Sequence, residues 1–183
     1  LDRSFAPGKL VLGAGATFFA RTIDTDPKHM MQIFQEAEKH RGTSLIEIYQ
    51  NCVIFNDKVH EAYTKRGDRD ETSLRLEHGK PMIYGKDNDK GLVLNGTKIE
   101  VVTIGEDGIT EADLLIHDET DTNLAHILSN LNYPDFPVPI GVMRKIEKTT
   151  YDSLINEQIK DVQEKKGLGD MNALLRSGDT WEV

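Results

Sequence analysis

Residues 40–57 read HRGTSLIEIYQNCVIFND, and this stretch decides the fold. Leu45, Ile46, Ile48 and Tyr49 make a nearly continuous apolar run, the pattern of a strand covered on both faces. Upstream, Asp26-Pro27 is a helix start, with Asp as the cap and Pro in the first turn. Met30, Ile33, Phe34 and Ala37 then recur at helical spacing on one face, and Gly42 is placed to end the helix. Further upstream, residues 6–23 read as a short helix, a junction with Gly13 and Gly15, and a buried strand near Thr17–Arg21. Residues 17–49 therefore form strand–helix–strand, the parallel crossover unit. In an open parallel sheet, chain leaving the C-terminal end of a strand lines the ligand crevice, and Cys52 lies there.

Downstream, residues 64–80 are mixed in charge and poor in apolar side chains, which predicts an exposed linker. A small β-rich region follows, with strands at Pro81–Tyr84, Gly91–Leu94 and Lys98–Ile104 and turns at Asn88-Asp89 and Asn95-Gly96. Leu114–His117 reads as a further strand. Asp121 or Thr122 starts a helix that runs to about Leu131, and Pro134, Pro137 and Pro139 enforce an extended passage. Thr149, with Asp152 three residues on, opens a last helix whose stripe of Tyr151, Leu154, Ile155, Ile159 and Val162 ends at Gly167. A short helix over 170–176 and the tail SGDTWEV complete the chain.

The 183 residues carry a net charge of −9 and no basic run, which argues against a wide nucleic-acid footprint. No apolar run reaches the roughly 18 residues that span a bilayer, and LDRSFAPGK lacks the layout of a signal peptide. The chain starts without Met, which fits a processed or incomplete polypeptide. One cysteine rules out an internal disulfide and fits a reducing compartment, the cytoplasm. From Glu100 to Arg144 there are nine acidic residues before the first basic one, a face that repels acidic proteins such as a typical ferredoxin.

Candidate chemistry is sparse. Gly13-Ala14-Gly15-Ala16-Thr17-Phe18 begins like a dinucleotide fingerprint but has Phe18 at the third glycine and runs helix to strand, so packing glycines are the better reading. His117, Asp118, Asp121 and His126 have no standard metal-site spacing and read as an acidic loop and helix start. A lone Cys52 is ordinarily a small buried hydrophobe, or else a nucleophile with His40 or His60 as base.

Several segments occur together in order: Leu1–Phe5 (LDRSF), Gly13–Arg21 (GAGATFFAR), His40–Ser44 (HRGTS), Glu47–Asp57 (EIYQNCVIFND), Pro137–Val142 (PVPIGV) and Ser177–Val183 (SGDTWEV). Together they resemble the second half of the β subunit of 2-oxoacid:ferredoxin oxidoreductases, in the 2-oxoglutarate branch. The resemblance implies an α/β fold, the second half of a thiamine-diphosphate-binding-type parallel sheet, with a small β-rich region and a C-terminal helical arm. It implies oxidative decarboxylation of a 2-oxoacid to acyl-coenzyme A on thiamine diphosphate with magnesium, with electrons leaving through a 4Fe-4S cluster to ferredoxin. Cys52 matches the fourth of the family's four cluster cysteines, a thiolate ligand.

The chain also departs from the family. It has no CxxC pair, no second cysteine and no Gly-Asp-Gly segment for magnesium and diphosphate. The resemblance therefore implies that both cofactors need residues outside this chain, supplied by the N-terminal half of the β subunit, together with an α (or α–γ fused) subunit in an α2β2-type assembly. On this reading residues 1–63 are the C-terminal part of the thiamine-binding domain with the cluster loop, 64–80 a linker, 81–148 a small β-rich α+β region and 149–183 a docking arm. Two alternatives stay open: a non-catalytic interaction module, and part of an iron-free thiamine-dependent decarboxylase or synthase.

Overall fold

A computed structural model describes residues 5–179 and 181. Leu1–Ser4, Thr180, Glu182 and Val183 of the resemblance segments lie outside the described residues. The chain divides into two compact units, Leu1–Glu147 and Lys148–Val183.

The first unit opens with helix α1 (Pro7–Gly13), strand β1 (Phe18–Ile23), helix α2 (Pro27–Lys39) and strand β2 (Ser44–Tyr49). β1 and β2 pair in parallel, from Phe18↔Ser44 to Ile23↔Tyr49, so the crossover expected at 17–49 is present. Its start is made as the residues predict: Pro27 occupies the first turn and the Asp26 carboxylate accepts the His29 amide. The helix ends earlier than Gly42, at Lys39, with His40 in an extended conformation. Gly42, at φ +135°, serves the turn beyond.

Gly15, at φ +83°, makes the turn from α1 into β1, and neither Gly13 nor Gly15 has a neighbour that a Cβ would meet. Gly15 is a turn glycine, Gly13 closes α1, and the glycine of this segment that packs closely is Gly8, where a Cβ would lie 2.4 Å from the Phe19 ring.

Residues 64–80 are not a linker. They contain helix α4 (Arg69–Thr72) and strand β3 (Ser73–Arg75), preceded by the one-turn helix α3 (Glu61–Thr64). Leu74 is fully buried and Leu76 nearly so. The expected β-rich region is present as strands β4 (Ile83–Tyr84), β5 (Lys90–Asn95) and β6 (Lys98–Thr103), which pair as an antiparallel meander with Asn88 and Gly96 at positive φ in its turns. Leu114–His117 forms no regular strand. It follows a 3-10 turn at Glu111–Asp113, bridges Pro81 through Ile116, and bonds its backbone to Met82 and Leu92. Helix α5 (Thr122–Asn130) is capped by Asp121 as expected.

The Pro-rich passage delivers strand β7 (Val138–Lys145) into the middle of the main sheet, whose order is β2-β1-β7-β3. β7 runs antiparallel to β1 and parallel to β3, so the sheet is mixed. Gly141, at φ +125°, lets β7 pass Leu76, whose carbonyl oxygen would lie 2.8 Å from any Cβ there. The period-2 alternation of β1 divides the core. Phe19 joins Leu12, Leu74, Leu128 and Met143 on the face under α1 and α5. Phe18 and Ala20 pack with Ile33 on the α2 face.

β2 departs from the sequence expectation. It is an edge strand, and all six of its residues retain solvent exposure.

The second unit holds helix α6 (Tyr151–Lys166) and the short helix α7 (Met171–Leu175), neither with a buried residue. The cap of α6 falls on Thr150, one residue after Thr149. Gly167, at φ +77°, ends the helix.

Candidate functional site

The chain leaves β2 at Tyr49 and enters a loop that closes on itself. The Lys58 amide donates to the Asn51 side-chain oxygen at 2.7 Å, and Asn51 Nδ2 donates to Asp57 at 2.9 Å. The Asn56 amide donates to the Cys52 carbonyl at 3.0 Å. Lys58 takes a positive φ of 63° as the loop turns back. These bonds hold Cys52 in a compact turn at the C-terminal end of the parallel pair, with its side chain exposed. Beside it, Val53, Ile54 and Phe55 are 73%, 83% and 90% exposed. Asn51, Asp57, Lys58, Glu61 and Thr64 line a shallow cavity of about 240 Å³ at the loop base.

Below the loop lies a packed aromatic and ionic layer. The His60 ring stacks on Tyr49 with centroids 4.7 Å apart, and His60 Nδ1 is hydrogen-bonded to the Tyr63 hydroxyl. Arg21, nearly buried on β1, donates from Nε to Glu47 on β2 at 2.7 Å and lies over the Tyr49 ring at 5.0 Å. Burial, with the nearby Tyr49 and Glu47, pushes the Tyr63 hydroxyl up to about 12, against the opposing influence of Arg21. Burial lowers the His60 pKa, more than Asp24 and Glu47 raise it. His60 is thus held neutral and committed to its aromatic neighbours.

Cys52 is not the small buried hydrophobe that a lone cysteine ordinarily is. The nucleophile reading also fails for His40, which precedes β2 and bonds Thr17 through Nε2 at 2.9 Å. The six residues of β2 separate it from Cys52 by roughly 20 Å at ~3.3 Å per residue. Sequence reasoning missed Asn51, Tyr49 and Tyr63 as the residues that shape the loop. An Asn two residues past a strand, followed six residues later by an Asp, was the available signal.

The other candidates have structural duties. His117 is buried and donates from Nε2 to the Val142 carbonyl at 2.7 Å. Asp118 accepts from Thr120, Asp121 caps α5, and the His126 carbonyl accepts from Ser129 and Asn130. Among the described residues no group of three or more His, Cys, Asp or Glu side chains is arranged to hold a metal ion. A 4Fe-4S cluster needs four ligands of the thiolate kind, and this chain offers Cys52 alone, so its own residues do not complete such a site. No helix among the described residues is long and apolar enough to cross a membrane.

No family model matches the chain. A 2-oxoglutarate oxidoreductase subunit, KorB of Mycobacterium tuberculosis, is 33% identical over the whole chain, which spans 50% of that relative. A 2-oxoacid:ferredoxin oxidoreductase β subunit of Saccharolobus solfataricus is 40% identical over 68 residues, covering 36% of this chain and 22% of that protein. A solved structure is similar with a TM-score of 0.58 over 98% of this chain and 46% of its own: the 2-oxoglutarate:ferredoxin oxidoreductase from Magnetococcus marinus with 2-oxoglutarate, coenzyme A and succinyl-CoA bound. At 20% identity that likeness is one of fold. The resemblance carried by residues 40–57 and their companion segments agrees with these relatives, and the chain spans about half the length of the first of them.

Proposed function

We propose that this protein is part of the β subunit of a 2-oxoacid:ferredoxin oxidoreductase acting on 2-oxoglutarate. The observation that carries the reading is the 33% identity to the M. tuberculosis 2-oxoglutarate oxidoreductase subunit along the entire chain. The reaction of that class removes carbon dioxide from a 2-oxoacid, transfers the acyl group to coenzyme A and passes two electrons to ferredoxin. Thiamine diphosphate with magnesium and a 4Fe-4S cluster supply the chemistry when bound. The role of this chain is to present and shield. Cys52 is one thiolate ligand of a cluster whose other three ligands lie outside these residues. Asn51 and the Tyr49–His60 stack fix the loop that carries it. The exposed thiol at the C-terminal end of a parallel strand supports that assignment.

The remaining parts follow from the same reading. The N-terminal half of the β subunit supplies the thiamine site and the missing cysteines. An α (or α–γ fused) subunit completes an α2β2-type cytoplasmic assembly, with 149–183 as its docking arm. Residues 1–63 with β7 and β3 form this chain's share of the thiamine-binding domain.

The test is made on the intact purified assembly. It is expected to contain iron and acid-labile sulfide, and to reduce ferredoxin in the presence of 2-oxoglutarate and coenzyme A. Cys52→Ser is expected to lose the cluster's iron and its broad absorption near 400 nm. Full iron occupancy with normal ferredoxin reduction in Cys52→Ser would remove Cys52 from the ligand set. Faster turnover of another 2-oxoacid, such as pyruvate, would replace the substrate.

A further inference from the structure

The parallel pair turns one face toward α1, where Phe19 and Leu45 pack in the core. Further along that face, by the alternation of the strands, Arg21 stands opposite Glu47. The Arg21 side chain is 4% exposed and meets Glu47 at 2.7 Å. Its Nη1 is sealed from solvent and has no hydrogen-bond partner among the described residues. A shielded guanidinium with a donor unpaired is a poor device for stability, because desolvation offsets the Coulombic gain and an apolar pair does as well. What the guanidinium does meet is an aromatic face, with Cζ 5.0 Å from the Tyr49 ring centroid. Tyr49 ends β2, where the chain enters the Cys52 loop. His60, where the chain leaves the loop and starts α3, stacks on the same ring at 4.7 Å and 17°. Tyr63 leans on both rings, with centroids 5.6 Å from Tyr49 and 5.4 Å from His60.

We infer that Arg21 is a positioning residue for the Cys52 loop and acts through the Tyr49 ring. The two ends of the loop of residues 50–59 meet as stacked rings, and Arg21 fixes the ring on which the exit residue rests. A cation is drawn to an aromatic face most strongly where both are shielded from water. The planar guanidinium adds a flat surface that an ammonium lacks. The direction in which Cys52 leaves the strand is thereby set from β1, in addition to the Asn51 clamp within the loop. The inference deepens the proposed role of Cys52 and rests on that reading for its functional meaning.

Hydrogen exchange in the intact subunit, set beside urea unfolding, tests this. The readout is the pair of loop amides held by hydrogen bonds, Asn56 and Lys58. Arg21→Met with Glu47→Leu removes the ion pair and the ring contact together. The urea midpoint is expected to fall less than in Glu47→Gln, while the two loop amides exchange at least about fivefold faster. A merely structural pair would instead loosen the loop and the β1–β2 ladder in step. That result, or loop exchange within about twofold of the unaltered protein, would overturn the inference. Arg21→Lys keeps a charge beside Glu47 and loses the planar face. It is expected to loosen the loop while the ladder stays protected, and keeps the comparison available if the double variant does not fold. Tyr49→Phe retains the ring and is expected to leave the loop unchanged, whereas Tyr49→Leu loosens it. Equal loosening by both would overturn the role of the ring. Release of iron to a chelator separates this inference from the ligand assignment. Faster loop exchange with unchanged iron release defeats Cys52 as a ligand and upholds Arg21. Iron lost in Cys52→Ser, with a loop unmoved by the Arg21 variants, defeats this inference alone.

Discussion

At single positions the fold is held by a few side chains with no substitute. At Gly8 an added methyl would press into the Phe19 ring, and Phe19 is fully buried. Gly8→Ala is therefore expected to destabilise the subunit by about 1–3 kcal/mol, read from the urea midpoint. His117 is a second such position. Burial lowers its pKa, outweighing the opposing pull of the Val142 carbonyl. His29 is lowered too, by burial and then by Arg75. For both, the unfolded chain binds protons more readily than the folded one, so their contribution to stability is present above about pH 6.5 and is lost as pH falls below it. Urea midpoints from pH 7.5 to 5 are expected to decline, and His117→Gln to decline less steeply. Asp26 acts lower on the scale. Burial raises its pKa, but hydrogen bonds from Arg75 and the His29 amide, with the charges of Arg75 and Arg69, bring it below the ordinary value. Its share of stability is present above about pH 4 and disappears as pH falls through its folded pKa.

Among the elements, β1 and β2 are tied by more than their ladder. The Arg21–Glu47 pair is largely shielded, with side chains 4% and 17% exposed. Glu47→Gln leaves Arg21 charged and without its carboxylate, and is expected to cost about 3–5 kcal/mol, whereas replacing both residues with Met and Leu is expected to cost less. By contrast Lys145–Glu36, which joins β7 to α2, is a partly solvated pair, and Lys145→Ala is expected to change stability by under about 1 kcal/mol. Denaturant titration of the three variants separates the cases. These elements differ in how far the sequence revealed them. β1, α2 and β2 were legible because Asp26-Pro27 caps locally and the apolar spacing changes period at each boundary. α5 was legible for the same reason at Asp121. β7 was not, because Pro137 and Pro139 carry no periodicity and its partners β1 and β3 are far off in sequence. β3 was hidden in a charged stretch whose two buried leucines, Leu74 and Leu76, are too few to show alternation. The candidate site divides likewise. Cys52 was placed by the crossover rule, while its Asn51 clamp and the Tyr63 contact depend on side-chain geometry that no spacing rule encodes.

Over the whole molecule, charge and cover decide what meets what. The acidic residues between Glu100 and Arg144 include the exposed pair Glu106 and Asp107 in the turn after β6. If ferredoxin approached this face, removing those charges would tighten binding. On the proposed function, an acidic ferredoxin would dock away from this face, and Glu106→Gln with Asp107→Asn is expected to leave the KM for ferredoxin within about twofold. Another whole-molecule consequence comes from the place of β7. The last strand of the sheet to be made lies between two that precede it, so β1 and β3 have no common neighbour until residues 138–145 arrive. Until then β1 and β3 each keep an open edge, and the sheet closes by a contact spanning more than a hundred residues. Such non-local closure makes assembly slow, on the millisecond-to-second scale or beyond, and exposes the unfinished chain to aggregation. An arrangement in which the central strand comes last in the chain leaves the main sheet incomplete until residues 138–145 are in place.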